Sequence, residues 1–298
     1  MKLIDVVVLT DCRWISPKKI DTYTKNVLLE DNLVVAALKK EGLIVTRKSW
    51  DDPNFNWSSA KSILFRTTWD YFDRFNEFSN WLNTVSKLTR LFNSEKLIRW
   101  NIDKHYLLDL QKKGVRITPT RFIEKGESIS LYDLIQNTDW YDAVLKPCVS
   151  GAARHTYRVS LENSHQYERL LEQLLKQEAM MLQPFQHEII NEGELSLMII
   201  NGKYSHAILK KAKSGDFRVQ DDFGGSVHNY SASIKAIKFA ENAVKNCIEK
   251  PIYARVDMFT DNEGELALSE LELIEPELWF RYHPEAATLL ARSIIRNL

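Results

Sequence analysis

Cysteine is scarce in this sequence, and the spacing of the few present does not fit the sites that cysteine usually builds. The 298 residues include three cysteines, Cys12, Cys148 and Cys247, and no Cys-x-x-Cys pair. An odd number of widely separated cysteines indicates neither a disulfide framework nor a zinc knuckle. We therefore expect a protein of the reducing cytoplasm.

Long apolar runs are also absent. A membrane-spanning helix needs roughly 18 uncharged apolar residues, and no stretch approaches that length. The apolar start of the chain is broken by Asp5, and no signal-peptide cleavage pattern follows it. The sequence thus predicts a protein that does not span a membrane and whose first residues form a β-strand.

Net charge is missing as well, because 40 basic residues balance 40 acidic ones. A neutral chain has no overall attraction to nucleic acid or to an anionic membrane. Small molecules are therefore the favoured partners, and a homodimer is the default oligomer. What the sequence does have is a hydrophobic content of 44%, which is typical of a soluble globular protein.

The order of the predicted elements indicates an α/β domain followed by two α+β units. Strands are predicted at 3–10, 43–48 and 62–66, with an amphipathic helix at 24–41, which is a βαβ pattern with a largely parallel sheet. At this length the chain exceeds one ordinary core. We expect an N-terminal α/β domain, a helical connection with a central unit, and a C-terminal unit, at 1–95, 96–185 and 186–298.

The C-terminal unit has several carboxylates inside apolar strands. Asp257 lies in one strand of a predicted hairpin, and Glu270 and Glu272 lie in the other, alternating with apolar residues. The alternation places the three acids on one face. Like charges repel and are costly to desolvate unless a cation lies among them, and oxygen ligands of this kind suit Mg²⁺. The alternative is a hairpin face that is simply solvated.

A lysine and a loop of small residues form the second motif. Lys146 lies inside an apolar strand and is followed by Pro147 and by the run from Ser150 to Ala153. Backbone amides of such a loop, which includes Gly151, can approach phosphate oxygens closely. Lysine and loop together predict a triphosphate-binding site. An ordinary turn with a lysine that reaches solvent is the alternative.

The remaining candidates are individually weak. Lys104 lies in a predicted helix that includes Asn101–Leu110 and is closed by Gly114. Others are a purine-binding hinge at Gln183 and Phe185, an acid at Glu194, Lys210 at a strand end, Arg218 beside Gly224-Gly225, and Arg66 beside Trp69 and Asp70. Arginine suits bidentate binding of phosphate or carboxylate. Trp69 is predicted to pack between domains in preference to contacting a ligand, and ligand contact stays the alternative.

In chain order these motifs resemble the ATP-grasp superfamily over roughly residues 1–298, on the glutathione-synthetase-like branch. The run Arg66-x-x-Trp-Asp-Tyr71 and the run from Glu270 to Pro276 are similar to cycloserine-type cyclo-ligases. The resemblance implies an α+β protein with the ATP-grasp fold. In that fold an N-terminal α/β domain precedes two α+β units that enclose the nucleotide, and the central unit acts as a lid.

The resemblance also implies a role for each matched residue. The implied nucleotide ligands are Lys104 and Lys146 with Ser150 and Gly151 for the phosphates, Gln183 and Phe185 for the adenine, Glu188 or Glu194 for the adenosine hydroxyls, and Lys210. The implied ligands of magnesium, two ions with Mn²⁺ as a substitute, are Asp257, Glu270 and Glu272. Glu272 stands where the family usually has Asn, so Glu275 is the alternative ligand.

The implied activity is an ADP-forming, ATP-dependent carboxylate–amine ligase. It would act on a small amino-acid-like substrate through an acyl phosphate, in one form by cyclising a single molecule. Arg255, Arg218 and Arg66 are the candidates for stabilising transition-state charge. Two alternatives stay open. One is a ligase that adds amino acids to a peptide or protein tail, and the other is a nucleotide-binding protein without catalysis.

Overall fold

Three β-sheets organise the chain in the computed structural model, which describes residues 3–151, 153–213, 215, 219 and 224–298. The first sheet is parallel and has the order β2-β1-β3-β4. Its strands and helices are β1 (Ile4–Thr10), α1 (Thr22–Lys40), β2 (Val45–Ser49), β3 (Ala60–Thr67), α2 (Phe75–Val85) and β4 (Arg90–Phe92). The predicted βαβ start is therefore present, with strand and helix ends shifted by a few residues.

Both faces of this parallel sheet are covered, which explains the nearly continuous apolar runs of its strands. Val7 and Phe65 pack on one side against Phe78 and Leu82 of α2. On the other side, the sheet packs against α1 and the C-terminal part of the chain. The carboxyl ends of these parallel strands lie together at one edge of the sheet, which is where open α/β sheets bind ligands.

The connection to the central sheet differs from the single helix that the sequence predicts. The structure has two helices, α3 (Glu95–Ile102) and α4 (Tyr106–Lys112), with Asp103 in an extended conformation between them. The backbone N–H of Lys104 donates to the carbonyl of Cys148 at 2.9 Å. This bond to a distant strand end replaces an intrahelical one, so local leucine spacing could not reveal the break.

The central sheet is antiparallel, with the order β5-β8-β6-β7. Its elements are β5 (Arg121–Ile123), α5 (Leu131–Thr138), β6 (Asp142–Pro147), β7 (Tyr157–Ser160), α6 (Ser164–Leu175) and β8 (Met180–Pro184). Helices α5 and α6 pack together and share one core with the apolar side chains of the sheet. Lys146 lies on the opposite face of this sheet, and that face is turned toward the rest of the molecule.

The C-terminal sheet is antiparallel and has the order β11-β10-β9-β12-β13. Its elements are α7 (Glu188–Asn191), β9 (Glu194–Ile200), β10 (Lys203–Lys211), β11 (Ser226–Tyr230), α8 (Ile234–Lys245), β12 (Tyr253–Thr260), β13 (Leu266–Glu272) and α9 (Glu285–Ile295). Helix α9 packs against α1 of the first sheet. No helix within the described ranges is long and apolar enough to cross a membrane.

Asn93 joins the first and third sheets through a fully bonded buried amide. Its side-chain nitrogen donates to the carbonyls of Tyr253 (3.0 Å) and Leu273 (2.8 Å), and its oxygen accepts from the Ile252 N–H at 2.6 Å. The Tyr253 hydroxyl in turn donates to the carbonyl of Ile274 at 2.7 Å. These bonds fix the ends of β12 and β13 beside β4.

Replacement of Asn93 by Ala should destabilise the protein, because one backbone N–H and two carbonyls would be left buried without this partner. We expect a loss of about 2–4 kcal/mol in the free energy of unfolding, seen as a lower melting temperature in calorimetry. The exposed Asn80 of α2 is the control, and Asn80→Ala should change stability by about 0.5 kcal/mol or less. Equal shifts for the two variants would contradict the role of Asn93.

Candidate active site

A cavity of about 690 Å³ lies where the three sheets meet. Most residues that the sequence singles out line it, and they come from all three parts of the chain. They are Lys104, Lys146, Ser150, Gly151, Gln183, Phe185, Glu194, Lys210, Arg255, Asp257, Glu270 and Glu272. Side chains that are up to 168 positions apart in the sequence, from Lys104 to Glu272, thus share one space.

The acidic hairpin has the geometry that the alternation predicts. Asp257 of β12 stands opposite Glu270 of β13, and Arg255 stands opposite Glu272, with an irregularity in register directly after Asp257. Because side chains along a strand alternate between its two faces, all four side chains lie on the face that lines the cavity. The face therefore contains its own cation, Arg255, in addition to the three acids.

Each of the three acids is held by a cation of the protein. Lys104 Nζ lies 3.0 Å from Glu270, and Arg255 bonds both Asp257, at 2.8 Å, and Glu272. In this arrangement the carboxylate oxygens of the three acids do not all lie within 4.8 Å of one another. A shared metal ion would require Glu270 and Glu272 to turn from their cations toward Asp257.

The pKa values of these acids diverge because their surroundings differ. Burial raises the pKa of Asp257, but Arg255 and Lys210 outweigh it and lower the value to about 2. Burial raises the pKa of Glu272 to about 7, since Asp257 and Glu270 add repulsion that Arg255 only partly offsets. Burial also opposes ionisation of Glu270, whose pKa Lys104 and Lys146 nevertheless hold below its usual value. Of the three acids, Glu272 is therefore the one whose ionised form its surroundings disfavour.

A second buried ion pair stabilises the adjacent strands. Lys210 Nζ lies 2.5 Å from Glu194 and 3.3 Å from Asp257, and all three side chains are less than a tenth exposed. Burial opposes the charged form of Lys210, yet Asp257 and Glu194 raise its pKa. Ser196 adds a 2.5 Å hydrogen bond to Asp257. Strands β9, β10 and β12 therefore meet in one network.

Lys104 and Lys146 provide positive charge on the opposite side of the cavity. Lys104 Nζ donates to the carbonyl of Ser150 at 2.7 Å, which anchors the small-residue loop. Lys146 is half-buried, and no ion pair or hydrogen bond from another described residue reaches its ammonium group. Burial lowers the pKa of Lys146, with Lys104 lowering it further and Glu270 opposing the shift. A partly desolvated ammonium without a counter-ion is suited to binding an anion.

The small-residue loop closes against the N-terminal part of the chain. A Cβ atom placed on Gly151 would lie 2.6 Å from Cε1 of Phe72, which is too close for any real side chain. A larger residue here would force the ring or the loop to shift, whereas the backbone angles of Gly151 do not themselves demand glycine. Arg154 holds the loop from the other side through an ion pair with Glu178.

The hinge between the central and C-terminal sheets forms another wall of the cavity. Gln183 donates to the Thr120 hydroxyl at 2.9 Å, and Phe185 lies beneath the guanidinium of Arg158 at 3.7 Å. Glu188 is not part of this wall. It lines a separate depression beside Asp261 and Asn262, so of the two acids predicted for the adenosine hydroxyls only Glu194 reaches the cavity.

Arg66 does not contact the cavity in this structure. The residue is 1% exposed, its guanidinium lies 5.4 Å from the ring of Phe280, and its Nε and Nη1 have no hydrogen-bond partner among the described residues. A direct role in charge stabilisation would require it to move, and that role stays a prediction. Arg218 lies outside the described residues.

Aromatic residues near both ends of the chain line the cavity, and among them the sequence singled out Trp69 and Tyr71. Trp69 is half-buried at the cavity wall, where its indole N–H bonds the carbonyl of Glu275, so it lies between the N-terminal and C-terminal parts of the chain and also faces the cavity. Trp14, Tyr23 and Trp279 accompany it. Asp70, by contrast, is buried and bonds the Trp50 indole at 2.7 Å and Arg74 at 3.0 Å. The sequence signal for this wall was the Arg-Thr-Thr-Trp-Asp-Tyr run. Its tryptophan faces the cavity and its aspartate is buried, which is the reverse of what their polarity suggests.

One further group of possible metal ligands lies outside the cavity. Side-chain atoms of Asp103, His105 and Cys148 lie within 4.8 Å of one another. Asp103 and Glu124 already occupy the two ring nitrogens of His105, at 2.5 and 3.2 Å. Burial raises the pKa of the Cys148 thiol, which disfavours the thiolate that a metal needs. These bonds explain the cluster without a metal.

Comparison with known proteins points to one group of ligases. Residues 6–93 match the family model described as the N-terminal domain of D-cycloserine synthetase DcsG. The cycloserine biosynthesis protein DcsG of Streptomyces lavendulae is 26% identical over 280 residues, which are 89% of this chain and 92% of the relative. A crystal structure of D-cycloserine synthetase DcsG matches with a TM-score of 0.84 at 24% identity, over 98% of this chain and 99% of that one.

Two other solved structures share the fold at lower identity. D-alanine–D-alanine ligase from Bacillus anthracis has a TM-score of 0.68 at 16% identity, over 98% and 96% of the two chains. The ATP-grasp ligase PsnB, complexed with a minimal precursor, Mg and ADP, has a TM-score of 0.62 at 13% identity, over 98% and 97%. The fold is thus that of ATP-grasp ligases.

The chain has the fold of the ATP-grasp ligases. Within that class it is similar to the cycloserine-type ligases, over nearly the full length of the DcsG protein. The predicted fold class and the predicted recognition are therefore confirmed. The roles of individual site residues and the domain boundaries at 95 and 185 stay predictions.

Lys210→Met should strongly destabilise the protein, because Glu194 and Asp257 would remain buried next to each other without this cation. Breaking a buried pair from one side typically costs about 3–5 kcal/mol. Thermal unfolding should show the loss, with exposed Lys211→Met as the matched control that changes stability little. A stable Lys210→Met variant would mean that the network does not hold the strands together.

Proposed function

We propose that this protein is an ATP-dependent ligase that joins a carboxylate to an amine on a small amino-acid-like substrate, through an acyl phosphate. One form of that reaction is the cyclisation of a single molecule. The observation that carries the proposal is the division of one cavity into a side with Lys104 and Lys146 and a facing hairpin with three acids. The similarity to the cycloserine-type ligases supports the same chemistry. A cytoplasmic location and a homodimer remain part of the proposal.

The residues present fit a magnesium nucleotide. The acidic face offers only oxygen donors, which Mg²⁺ prefers. Burial, with repulsion from Asp257 and Glu270, raises the pKa of Glu272 to about 7, and a cation bound there would favour its ionised form. We propose that Asp257, Glu270 and Glu272 hold the metal, in one or two ions, and that Lys104 and Lys146 bind the phosphates. Bound magnesium would neutralise phosphate charge and orient the reacting phosphate.

Each other part of the cavity has a defined task in this proposal. Gly151 and its neighbours close over the phosphates, since Lys104 already fixes the loop through Ser150. Gln183 and Phe185 form the wall for the adenine, and Glu194 faces the adenosine hydroxyls. Arg255 stabilises charge that develops on the substrate carboxylate, because its guanidinium lies within the acidic face. The substrate then occupies the remaining, N-terminal end of the cavity.

Glu270→Ala and Lys146→Met should each reduce ATP turnover about 100-fold or more, because each removes a preorganised charge from the reacting phosphates. ADP release with magnesium and an amino-acid pool measures the effect, and mass spectrometry identifies the product. Exposed Glu265→Ala and Lys125→Met are the matched controls and should keep turnover. Full activity of Glu270→Ala would exclude it as a metal ligand. ATP binding by the wild type with neither ADP nor product would favour the non-catalytic alternative.

Gly151→Ala should weaken ATP binding, because the added methyl group cannot fit against Phe72 unless the loop or the ring moves. Overpacking of this kind costs about 1–3 kcal/mol, so the dissociation constant should rise roughly fivefold or more. Calorimetric titration with a non-hydrolysable ATP analogue measures it. Adding Phe72→Leu to Gly151→Ala should restore part of the affinity. No recovery in the double variant would show that the ring is not the obstacle.

A further inference from the structure

The N-terminal end of the cavity has an aromatic wall that is continuous with the segment after β13. The indole N–H of Trp69 donates to the backbone carbonyl of Glu275 at 2.9 Å. The rings of Trp69 and Trp14 meet edge to face at 6.0 Å, and Trp14 meets Tyr23 at the same distance. All four residues line the cavity. The hydrogen bond therefore fixes Glu275 at the border between this wall and the acidic hairpin.

Glu275 is the acid of this segment whose charge the protein does not pair. Glu270 and Glu272 bond Lys104 and Arg255, respectively. No hydrogen bond or ion pair from another residue that the structure describes reaches the half-buried carboxylate of Glu275. The side chain lines the cavity, so a ligand there can reach it. Burial, with repulsion from Glu272 and Glu270, raises the pKa of the Glu275 carboxyl well above its usual value, so a cation placed beside it would favour the ionised form.

The cations nearest to this end are already committed. Arg13, which lines it, is paired with Asp11 through two hydrogen bonds at 3.0 and 2.6 Å. Its guanidinium also lies 5.6 Å from the ring centre of Trp14. Within the described part of the chain, no cationic side chain lies over the ring of Trp69. Lys104 acts on Glu275 only weakly, because Glu270 holds it.

A second polar group at this end also lacks a partner. Trp279 lines the cavity and is 3% exposed, and its indole N–H has no acceptor among the residues described. A buried donor without an acceptor is costly and is commonly satisfied by a bound molecule or water. The indole nitrogen of Trp279 is itself shielded from the cavity, so the ligand for this end is characterised by the ammonium group that would pair with Glu275.

We propose, on the basis of the ligase function proposed above, that the substrate carries an ammonium group that binds the Glu275 carboxylate and lies against the ring of Trp69. Charge-assisted hydrogen bonds and cation–π attraction both favour such a group. The negative hairpin next to Glu275 disfavours an anionic group at the same point. Glu275 thus selects the amine-bearing substrate, and the metal is left to Asp257, Glu270 and Glu272.

Binding of matched probe pairs tests this assignment without requiring turnover. The pairs are an amino acid and the hydroxy acid of the same skeleton, namely alanine with lactate, serine with glycerate, and β-alanine with 3-hydroxypropionate, in both enantiomers where they exist. Each is titrated into the protein saturated with Mg²⁺ and a non-hydrolysable ATP analogue. We expect the amino member of at least one pair to bind about tenfold or more tightly. Glu275→Gln should reduce that preference to within about twofold, as the neutral amide keeps the shape but not the charge.

The controls separate the ammonium site from general effects. Asp73→Asn removes one negative charge from an exposed position at the same cavity and should keep the preference. Trp69→Leu should reduce it, because the ring face is lost. Melting temperatures of all variants should remain near that of the wild type. An unchanged preference in Glu275→Gln overturns the proposal, as does a wild type that prefers no amino member.

The same variant distinguishes the alternative in which Glu275 is a metal ligand. In that case Glu275→Gln raises the Mg²⁺ concentration for half-saturation of nucleotide binding and leaves the amino-acid preference intact, which overturns the proposal. Failure of the ligase function has a different signature. Amino acids would then bind through Glu275, but mass spectrometry would find no C–N product and no ADP would be released.

Discussion

The charge balance around the buried carboxylate of Asp257 is the constraint on which the rest of the cavity depends. A carboxylate at 2% exposure would be too costly to ionise alone, yet Arg255 and Lys210 lower its pKa to about 2. Those two cations also hold Glu272 and Glu194. Four strands of the C-terminal sheet therefore contribute to one set of ion pairs, and removing any member leaves another charge uncompensated.

The ion pairs of this network do not include every charged side chain of the cavity, and the two ends of the cavity therefore differ in charge. Among the described residues, no anionic side chain pairs with Lys146, on the side of the central sheet, and no cationic side chain pairs with Glu275, on the side of the N-terminal sheet. An anionic nucleotide and an ammonium-bearing substrate are the ligands that would complete both ends. The difference in charge between the two ends thus follows from which side chains form ion pairs within the fold. Net charge cannot cause it, because the chain as a whole is neutral.

Much of the fold could be predicted from the sequence because it depends on local periodicity. Alternation in the βαβ start and in the acidic hairpin gave the parallel sheet and the common face of Asp257, Glu270 and Glu272. The single helix through Asn101–Leu110 was wrong, because its interruption is maintained by a bond from Lys104 to Cys148, 44 positions away. The surroundings of Trp69 likewise depend on a contact with a distant segment. Composition predicts that an indole is buried, but only the position of Glu275 decides which edge of it faces the cavity.

The sequence by itself determined the order of the chemical groups along the chain, the face on which the hairpin acids lie, and the ATP-grasp class that this order resembles. These properties follow from residue identity and from the fixed periods of strands and helices. The tertiary structure decided which cations hold which acids, that Glu194 and not Glu188 reaches the cavity, that Arg66 lies behind its wall, and that Glu275 stands unpaired beside Trp69. Pairing and burial depend on contacts between segments that are far apart in sequence, and only the packing of the three sheets brings those segments together.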